Sequence, residues 1–201
     1  MIRASALHGR PVVDIEAAKK LGEVAALLLD LPAARVAGLV IAPGKGFIGS
    51  RQDLYLPADT VHSIGPDAIM VRGPQTTGDE FAYLTALTAL PRLSDLTGRK
   101  VVTESGMLLG EMTDVLLDER DRRLVGYAFH PSNTAPLFTL LKRTVRSNAL
   151  RYVRADADVH FGSALFVVPD DAVMRVEESA VDERAAPLES AHALRAGEAP
   201  R

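Results

Sequence analysis

Short apolar runs, separated by glycine, proline and acidic residues, recur along the whole chain. In the first half they are RPVVDI, EVAALLLD, VAGLVIA, QDLYLP and DAIMVRG, and in the second half they are RKVVTE, EMTDVLLD, LVGYAFH, RYVRAD and ALFVVP. Runs of this kind, rich in Val, Ile, Leu and Tyr and spaced by about 8 to 12 residues, are typical of strands in small barrels. The pattern therefore predicts an all-β protein.

One segment has helical spacing instead. The large side chains of DEFAYLTALTAL (79–90) recur at every third residue: Phe81, Leu84, Leu87 and Leu90. Pro91 follows directly, and proline cannot continue a helix. The spacing predicts a short amphipathic helix that connects two parts of the chain and ends at Pro91.

The two halves of the chain are related in sequence. LHGRPVV (7–13) matches LTGRKVV (96–102) at five of seven positions, and LGEVAALLLDLPAARVAGLVIAP (21–43) matches LGEMTDVLLDERDRRLVGYAFHP (109–131) at nine of 23. A third block, VHSIGPDAIMV (61–71), lies over VHFGSALFVV (159–168) with a small gap. Three blocks in the same order indicate a tandem duplication. Its period of about 90 residues is too long for a solenoid repeat and suits two small domains.

Glycines and acids in GMLLGEMTDVLLD (106–118) raise the alternative of a nucleotide or metal site. The second glycine is not followed by the Lys-Ser/Thr of a phosphate loop, and no helical pattern follows to hold phosphate at its N-terminus. GKGFIGS (44–50) fails by the same argument. We predict a β-hairpin that turns at Ser105 and Gly106.

Both halves share the pattern Leu-x-Gly-x-x-Val, a turn, Leu-Gly-Glu, Leu-Leu-Asp, a polar gap and a strand with a central glycine. This pattern resembles the PRC-barrel family, which includes the cytoplasmic domain of the photosynthetic reaction centre H subunit and the C-terminal domain of the ribosome maturation factor RimM. The resemblance implies two small antiparallel β-barrels in tandem, at 5–73 and 94–176, joined by a segment with a short helix at 74–93. It also implies an adaptor without catalytic residues. After about residue 177 the chain is rich in Ala and Glu, which predicts a flexible tail at 177–201.

Composition limits the chemistry and the location. The chain has no Cys, which excludes disulfide frameworks, thiolate catalysis and Cys-ligated metals. The five histidines show no ligand spacing and no nucleophile motif is present, so we expect no metal, no cofactor and no enzyme activity. A net charge of -3 provides no global basic field for nucleic acid. No apolar run is long enough to span a bilayer and MIRASALHGR lacks a signal-peptide core, so we expect a cytoplasmic protein.

The halves differ most between their third and fourth strands. There GKGFIGSRQD (44–53) stands against SNTAPLFTLLKRTVRSNALRYVRA (132–155), which has about ten extra residues and no acid. Its candidate partner-binding residues are Lys142, Arg143, Arg146, Arg151, Arg154, Leu137 and Phe138. Two interpretations are open: a barrel-covering helix with solvated cations, or a docking surface for an acidic protein, RNA or an anionic membrane.

The sequence thus predicts a non-enzymatic adaptor or scaffold that mediates protein–protein assembly, with a protein partner that it does not identify. Two alternatives are an RNA- or ribosome-associated maturation factor and a peripheral membrane-associated assembly factor. A homo-oligomer is compatible with each of these functions.

Overall fold

The computed structural model describes residues 1–43, 53–73, 85–132 and 149–177, which form two β-sheets. Their strands are β1 Ile2–Arg3, β2 Pro11–Asp14, β3 Lys19–Asp30, β4 Arg35–Ala42, β5 Leu54–Pro57, β6 Val61–Ile64, β7 Ile69–Val71, β8 Lys100–Thr103, β9 Leu108–Leu117, β10 Leu124–Pro131, β11 Ala149–Arg154, β12 His160–Phe161, β13 Leu165–Val168 and β14 Val173–Glu177. Two 3₁₀ turns lie at Ala4–Leu7 and Ala58–Thr60, and helix α1 spans Leu93–Leu96. The chain is mostly β, as predicted, and every predicted strand overlaps an observed one.

The two sheets share one strand order. In the first half it is β5-β4-β3-β2-β7-β6; in the second it is β11-β10-β9-β8-β13-β12, extended by β14 beside β11 and by β1 on β9. One pair in each sheet is parallel, β2 with β7 and β8 with β13. The prediction of antiparallel sheets is wrong for these two pairs, because their strands are joined by long connections rather than by hairpins. Neither sheet closes within the described residues, so the closed barrels are not confirmed.

The repeated Leu-Gly-Glu motif marks a β-bulge in each half. The pairing of β2 with β3 skips Leu21, and the pairing of β8 with β9 skips Leu109. A Cβ atom at the following glycine, Gly22 or Gly110, would collide with a backbone carbonyl oxygen of the adjacent strand, β4 or β10. The motif is therefore a requirement of close backbone packing at a bulge.

The predicted turn at Ser105 and Gly106 is confirmed. Gly106 lies between β8 and β9 with φ +84°, in the left-handed region that glycine adopts without strain. The equivalent residue of the first half is Ala18, whose φ is 48°. The glycine-rich stretch that could be taken for a phosphate loop is thus a β-hairpin.

Hydrogen bonds connect the β8–β9 turn to the turn between β13 and β14. Ser105 Oγ donates to Asp170 Oδ1 at 2.6 Å and lies 2.8 Å from Thr103 Oγ1. Hydrogen bonds from Ser105 and Thr103 lower the pKa of the Asp170 carboxyl. The cluster joins the β8–β9 hairpin to the turn that follows β13, the neighbour of β8 in the sheet.

We expect the stability lost in the Ser105→Ala variant to be larger while Asp170 is ionised than after it is protonated. Because the folded-state pKa is lowered, this stabilisation is present above the unfolded value of about 4 and is lost as the pH falls through the folded value. Urea unfolding at a series of pH values should show the difference in midpoint narrowing on acidification. The control Thr113→Ala, at an exposed position on β9, should show a difference that does not depend on pH. A pH-independent difference for Ser105→Ala would contradict the assignment.

One hydrophobic core joins the halves. Its members with 0% or 1% exposure come from both halves and include Leu7, Val12, Leu29, Ile69, Leu96, Val115, Leu117 and Phe166. Apolar surface from both repeats therefore leaves water in a single cluster, which is the main source of stability.

The predicted connecting helix is partly described. Residues 85–88 are helical, and Leu87 packs on Leu28, Ala37 and Val40, on the opposite face of the first sheet. Residues 79–84 of that prediction lie outside the described residues, as do 178–201 of the predicted tail. The domain bounds stay predictions.

Candidate functional site

The β3–β4 and β9–β10 hairpins meet at their turns, in the junction between the halves. The Val36 amide donates to the Arg122 carbonyl at 3.0 Å, and the Leu124 amide donates to the Ala34 carbonyl at 2.8 Å. The turns occupy equivalent repeat positions but differ in chemistry, because Leu-Pro-Ala-Ala (31–34) stands against Glu-Arg-Asp-Arg at 119–122. An apolar turn therefore faces the second half, and a charged turn faces the first.

An apolar groove, which we call the junction groove, lies beside the apolar turn. It is lined by Leu29, Leu31, Pro32, Leu90, Pro91, Val159, His160, Phe161, Gly162, Leu165 and Val167. Its volume of about 640 Å³ is in the range of clefts that hold ligands. Its walls are the β3–β4 turn, residues 90–91 and the β12–β13 hairpin.

The turn that borders the groove differs between the repeats. In the first half, Arg122 Nη1 donates to the Val61 carbonyl at 2.6 Å, and the apolar void that these two residues help to line has a volume of only about 10 Å³. The counterpart of Val61 is Val159, which lines the groove, and the counterpart of Arg122 is Ala34. An alanine cannot make at Val159 the hydrogen bond that Arg122 makes at Val61.

Aromatic packing holds the β12–β13 wall. The Phe161 ring lies 5.3 Å from the Tyr127 ring and 5.1 Å from the Phe166 ring, both in edge-to-face geometry. Arg99 lies over Phe166, and its Nη1 donates to the Gly162 carbonyl at 2.7 Å. Burial raises the pKa of Tyr127, so its hydroxyl stays neutral. This wall is fixed without any contribution from a ligand.

The lining of the groove suits apolar contact rather than acid–base chemistry. Among the described residues that line it, none is Lys, Arg, Asp or Glu, and His160 is the one titratable side chain. Leu165 is 39% exposed, so that a large apolar side chain at the groove faces water. In the parts of the chain that the structure describes, no cluster of three or more His, Asp or Glu side chains could hold a metal ion. Hydrophobic burial is what this arrangement can offer a ligand.

The structure places two of the predicted partner-binding residues, and neither lines the groove. Arg151 and Arg154 lie on β11. Arg154 makes a two-point ion pair with Asp156, with Nε–Oδ1 at 2.7 Å and Nη2–Oδ2 at 3.0 Å. This pairing raises the pKa of Arg154 and lowers that of Asp156. The other five, Leu137, Phe138, Lys142, Arg143 and Arg146, lie outside the described residues.

Sequence reasoning missed the junction groove although one signal for it was present. The alignment of the repeats pairs LPAAR (31–35) with ERDRR (119–123) at a turn, where an exposed apolar sequence is unusual. That contrast indicates an apolar surface on one half only. It does not indicate which part of the other half lies opposite.

Among the residues that the structure describes, no helix is both long and apolar enough to cross a bilayer. The sequence profile of the PRC-barrel domain matches residues 1–77 and 91–138, which together make up more than half of the chain. The chain is also 29% identical over 75 residues to the "Probable sporulation protein YlmC" of Bacillus subtilis (strain 168), an alignment that covers 36% of this chain and 93% of that protein. The two profile matches, one in each half, agree with the duplicated strand order: this chain belongs to the PRC-barrel family.

Proposed function

We propose that this PRC-barrel protein is a non-enzymatic adaptor for protein assembly and that its junction groove binds an extended apolar segment of a partner protein. The observation that carries the proposal is the groove itself, which has a fixed wall and an uncharged apolar lining. An apolar segment gains most from such a lining, since its side chains have no hydrogen bonds or ion pairs to lose on leaving water.

The charge of the lining favours a protein segment over the other partners. RNA and anionic lipid are held mainly by Lys and Arg side chains close to phosphate. The lining residues that the structure describes include neither, and Arg154 on β11 already pairs with Asp156. The RNA and membrane alternatives therefore depend on the cations of the 132–155 segment, which stays a predicted second docking surface.

The position of β12 supports an extended conformation for the bound segment. β12 pairs with β13 and, among the strands that the structure describes, is the outermost on its side of the second sheet. Extended segments bind beside exposed sheet edges by adding a strand, while side-chain pockets give selectivity. A segment along β12 would place every second side chain toward one face, as the groove requires.

We further propose that each repeat, at 5–73 and 94–176, forms a PRC barrel and that the protein works in the cytoplasm. The two barrels would present the junction groove at their contact. The adaptor would then bind its partner at a surface that the two repeats form together.

We expect Leu165→Glu to abolish partner capture by the full-length protein. A carboxylate at the groove would have to lose water when an apolar segment binds, so binding should weaken by at least about tenfold. Immobilised wild type, Leu165→Glu and Leu54→Glu would be exposed to native cell extract, and the bound proteins would be quantified by mass spectrometry. Leu54 is the matched control, because it is 44% exposed but does not line the groove.

Partners that depend on the groove should disappear with Leu165→Glu and remain with Leu54→Glu. Equal retention by both variants would contradict the proposal. Retention that is lost only on nuclease treatment would favour RNA, and binding to anionic but not neutral vesicles would favour a membrane surface.

A further inference from the structure

The contacts between the halves follow a two-fold symmetry that matches the duplication. In the repeat alignment, Arg122 is the equivalent of Ala34 and Leu124 that of Val36. The hydrogen bond from Val36 to Arg122 therefore has its symmetric counterpart in the bond from Leu124 to Ala34. A pair of bonds in which residue i meets j and j meets i is the mark of an isologous interface, as between two identical subunits.

The positive charges of the two arginines at the centre of this contact are balanced by nearby carboxylates. Arg35 and Arg123 are equivalent in the repeat and form an antiparallel backbone bridge with each other. Arg35 Nη2 lies 3.4 Å from Asp30 Oδ2, and Arg123 Nε lies 3.4 Å from Asp121 Oδ2. Because each cation has an acid in its own turn, the two like charges can lie near the axis.

The first segment of each half also pairs with a strand in the sheet of the other half. In β1, Arg3 pairs with Leu116 of β9, in the second half. Arg92 is the equivalent of Arg3, and it forms a bridge with Leu28 of β3, the equivalent of Leu116. The exchange is reciprocal, so each sheet is completed by the segment that begins the other repeat.

Two buried leucines follow these exchanged segments. Leu7 and Leu96 are equivalent, each is 1% exposed, and both belong to the core that contains residues of the two sheets. A repeat separated from its neighbour would expose its part of this core and leave an unpaired strand edge. Another repeat of the same kind could cover the surface that this separation exposes.

We propose that the surface between the halves is a self-complementary interface that holds the two repeats of one molecule together without the help of their covalent connection. The covalent connection through residues 74–84 would then be dispensable for holding the repeats together. The inference goes beyond adaptor function, and its test needs no ligand.

The test is to cut the folded full-length chain between its repeats. A specific protease site inserted between Thr76 and Thr77 would be cleaved after folding, and the product examined by size-exclusion chromatography with light scattering. We expect a single species with the mass of the uncut chain. Two separate fragments would overturn the proposal.

Variants of the cut protein show whether the described interface is responsible. Leu96→Asp should release the fragments, whereas Leu54→Asp, at an exposed position, should not. The milder Leu96→Ala should raise the dissociation constant of the cut fragments by at least about tenfold, since it removes buried apolar contacts. An unchanged dissociation constant for Leu96→Ala, or intact pairing in Leu96→Asp, would overturn the proposal.

Discussion

Replacing Gly110 by Ala should lower the free energy of unfolding by about 3 kcal/mol or more, as expected when extra atoms are forced into a closely packed site. At this bulge the backbone of β10 lies so close to β9 that a Cβ atom would collide with the His130 carbonyl. The collision is with backbone, so no side-chain rotation can relieve it. Urea unfolding of the purified variant measures the loss.

Gly106→Ala is the matched control in the same hairpin. Gly106 has φ +84°, but a Cβ atom there would meet no atom within 4 Å. The cost should therefore be the backbone strain of a left-handed alanine, about 1 kcal/mol. Ala18 already adopts this conformation at the equivalent position. If Gly106→Ala were as damaging as Gly110→Ala, the explanation by close backbone approach would be wrong.

Leu7→Ala and Leu96→Ala should each cost about 2 to 5 kcal/mol, the range for emptying a buried leucine site. Each is 1% exposed in the core that joins the halves, so either change should weaken both sheets. Amide hydrogen exchange averaged over β4 and over β13 reports on one sheet each. We expect both strands to lose protection in both variants.

The control for these leucines is Leu54→Ala. Leu54 is 44% exposed on β5, so its truncation should change stability by less than about 1 kcal/mol. If each core variant lowered protection in its own half only, the repeats would be separate cooperative units. The shared core would then contribute little to stability.

Much of the fold could be predicted from the sequence because strands carry their own local pattern. EVAALLLD and EMTDVLLD have the β-forming composition and turn-rich flanks that place β3 and β9. The turn at Gly106 was predictable for the same reason. Short strands such as β12, with two residues, have too few positions for any pattern to appear.

The parallel pairs and the exchange between halves could not be predicted in this way. A run of apolar residues such as Ile69–Val71 does not say which neighbour it joins, and its parallel pairing with β2 depends on the path of the connections. The pairing of Arg3 with Leu116 joins residues 113 positions apart. Such contacts depend on how the two repeats pack, which no local pattern records.

The candidate site predicted from the sequence is not the one found in the structure, for a related reason. The basic insertion stands out in sequence because charge is a local property, and most of it lies outside the described residues. The junction groove combines residues 29–32, 90–91 and 159–167, which are brought together only by the symmetric packing. In the turn beside it, Ala34 stands where the other repeat has Arg122. The sequence alone does not show that each of these positions faces the other half.

The most direct test of the account places an arginine where the other repeat has Arg122, so that it should reach Val159 at the groove as Arg122 reaches Val61. Ala34→Arg places at φ 47° a residue type that the chain already holds at φ 61° in Arg122, so the fold should be preserved. Peptides would be selected from a display library on the wild-type protein, and their dissociation constants measured by calorimetry for both proteins. We predict apolar peptides that bind Ala34→Arg at least about tenfold more weakly, with unchanged urea unfolding. Equal affinity for the two proteins, or a library that yields no apolar peptide, would contradict the groove as the docking site.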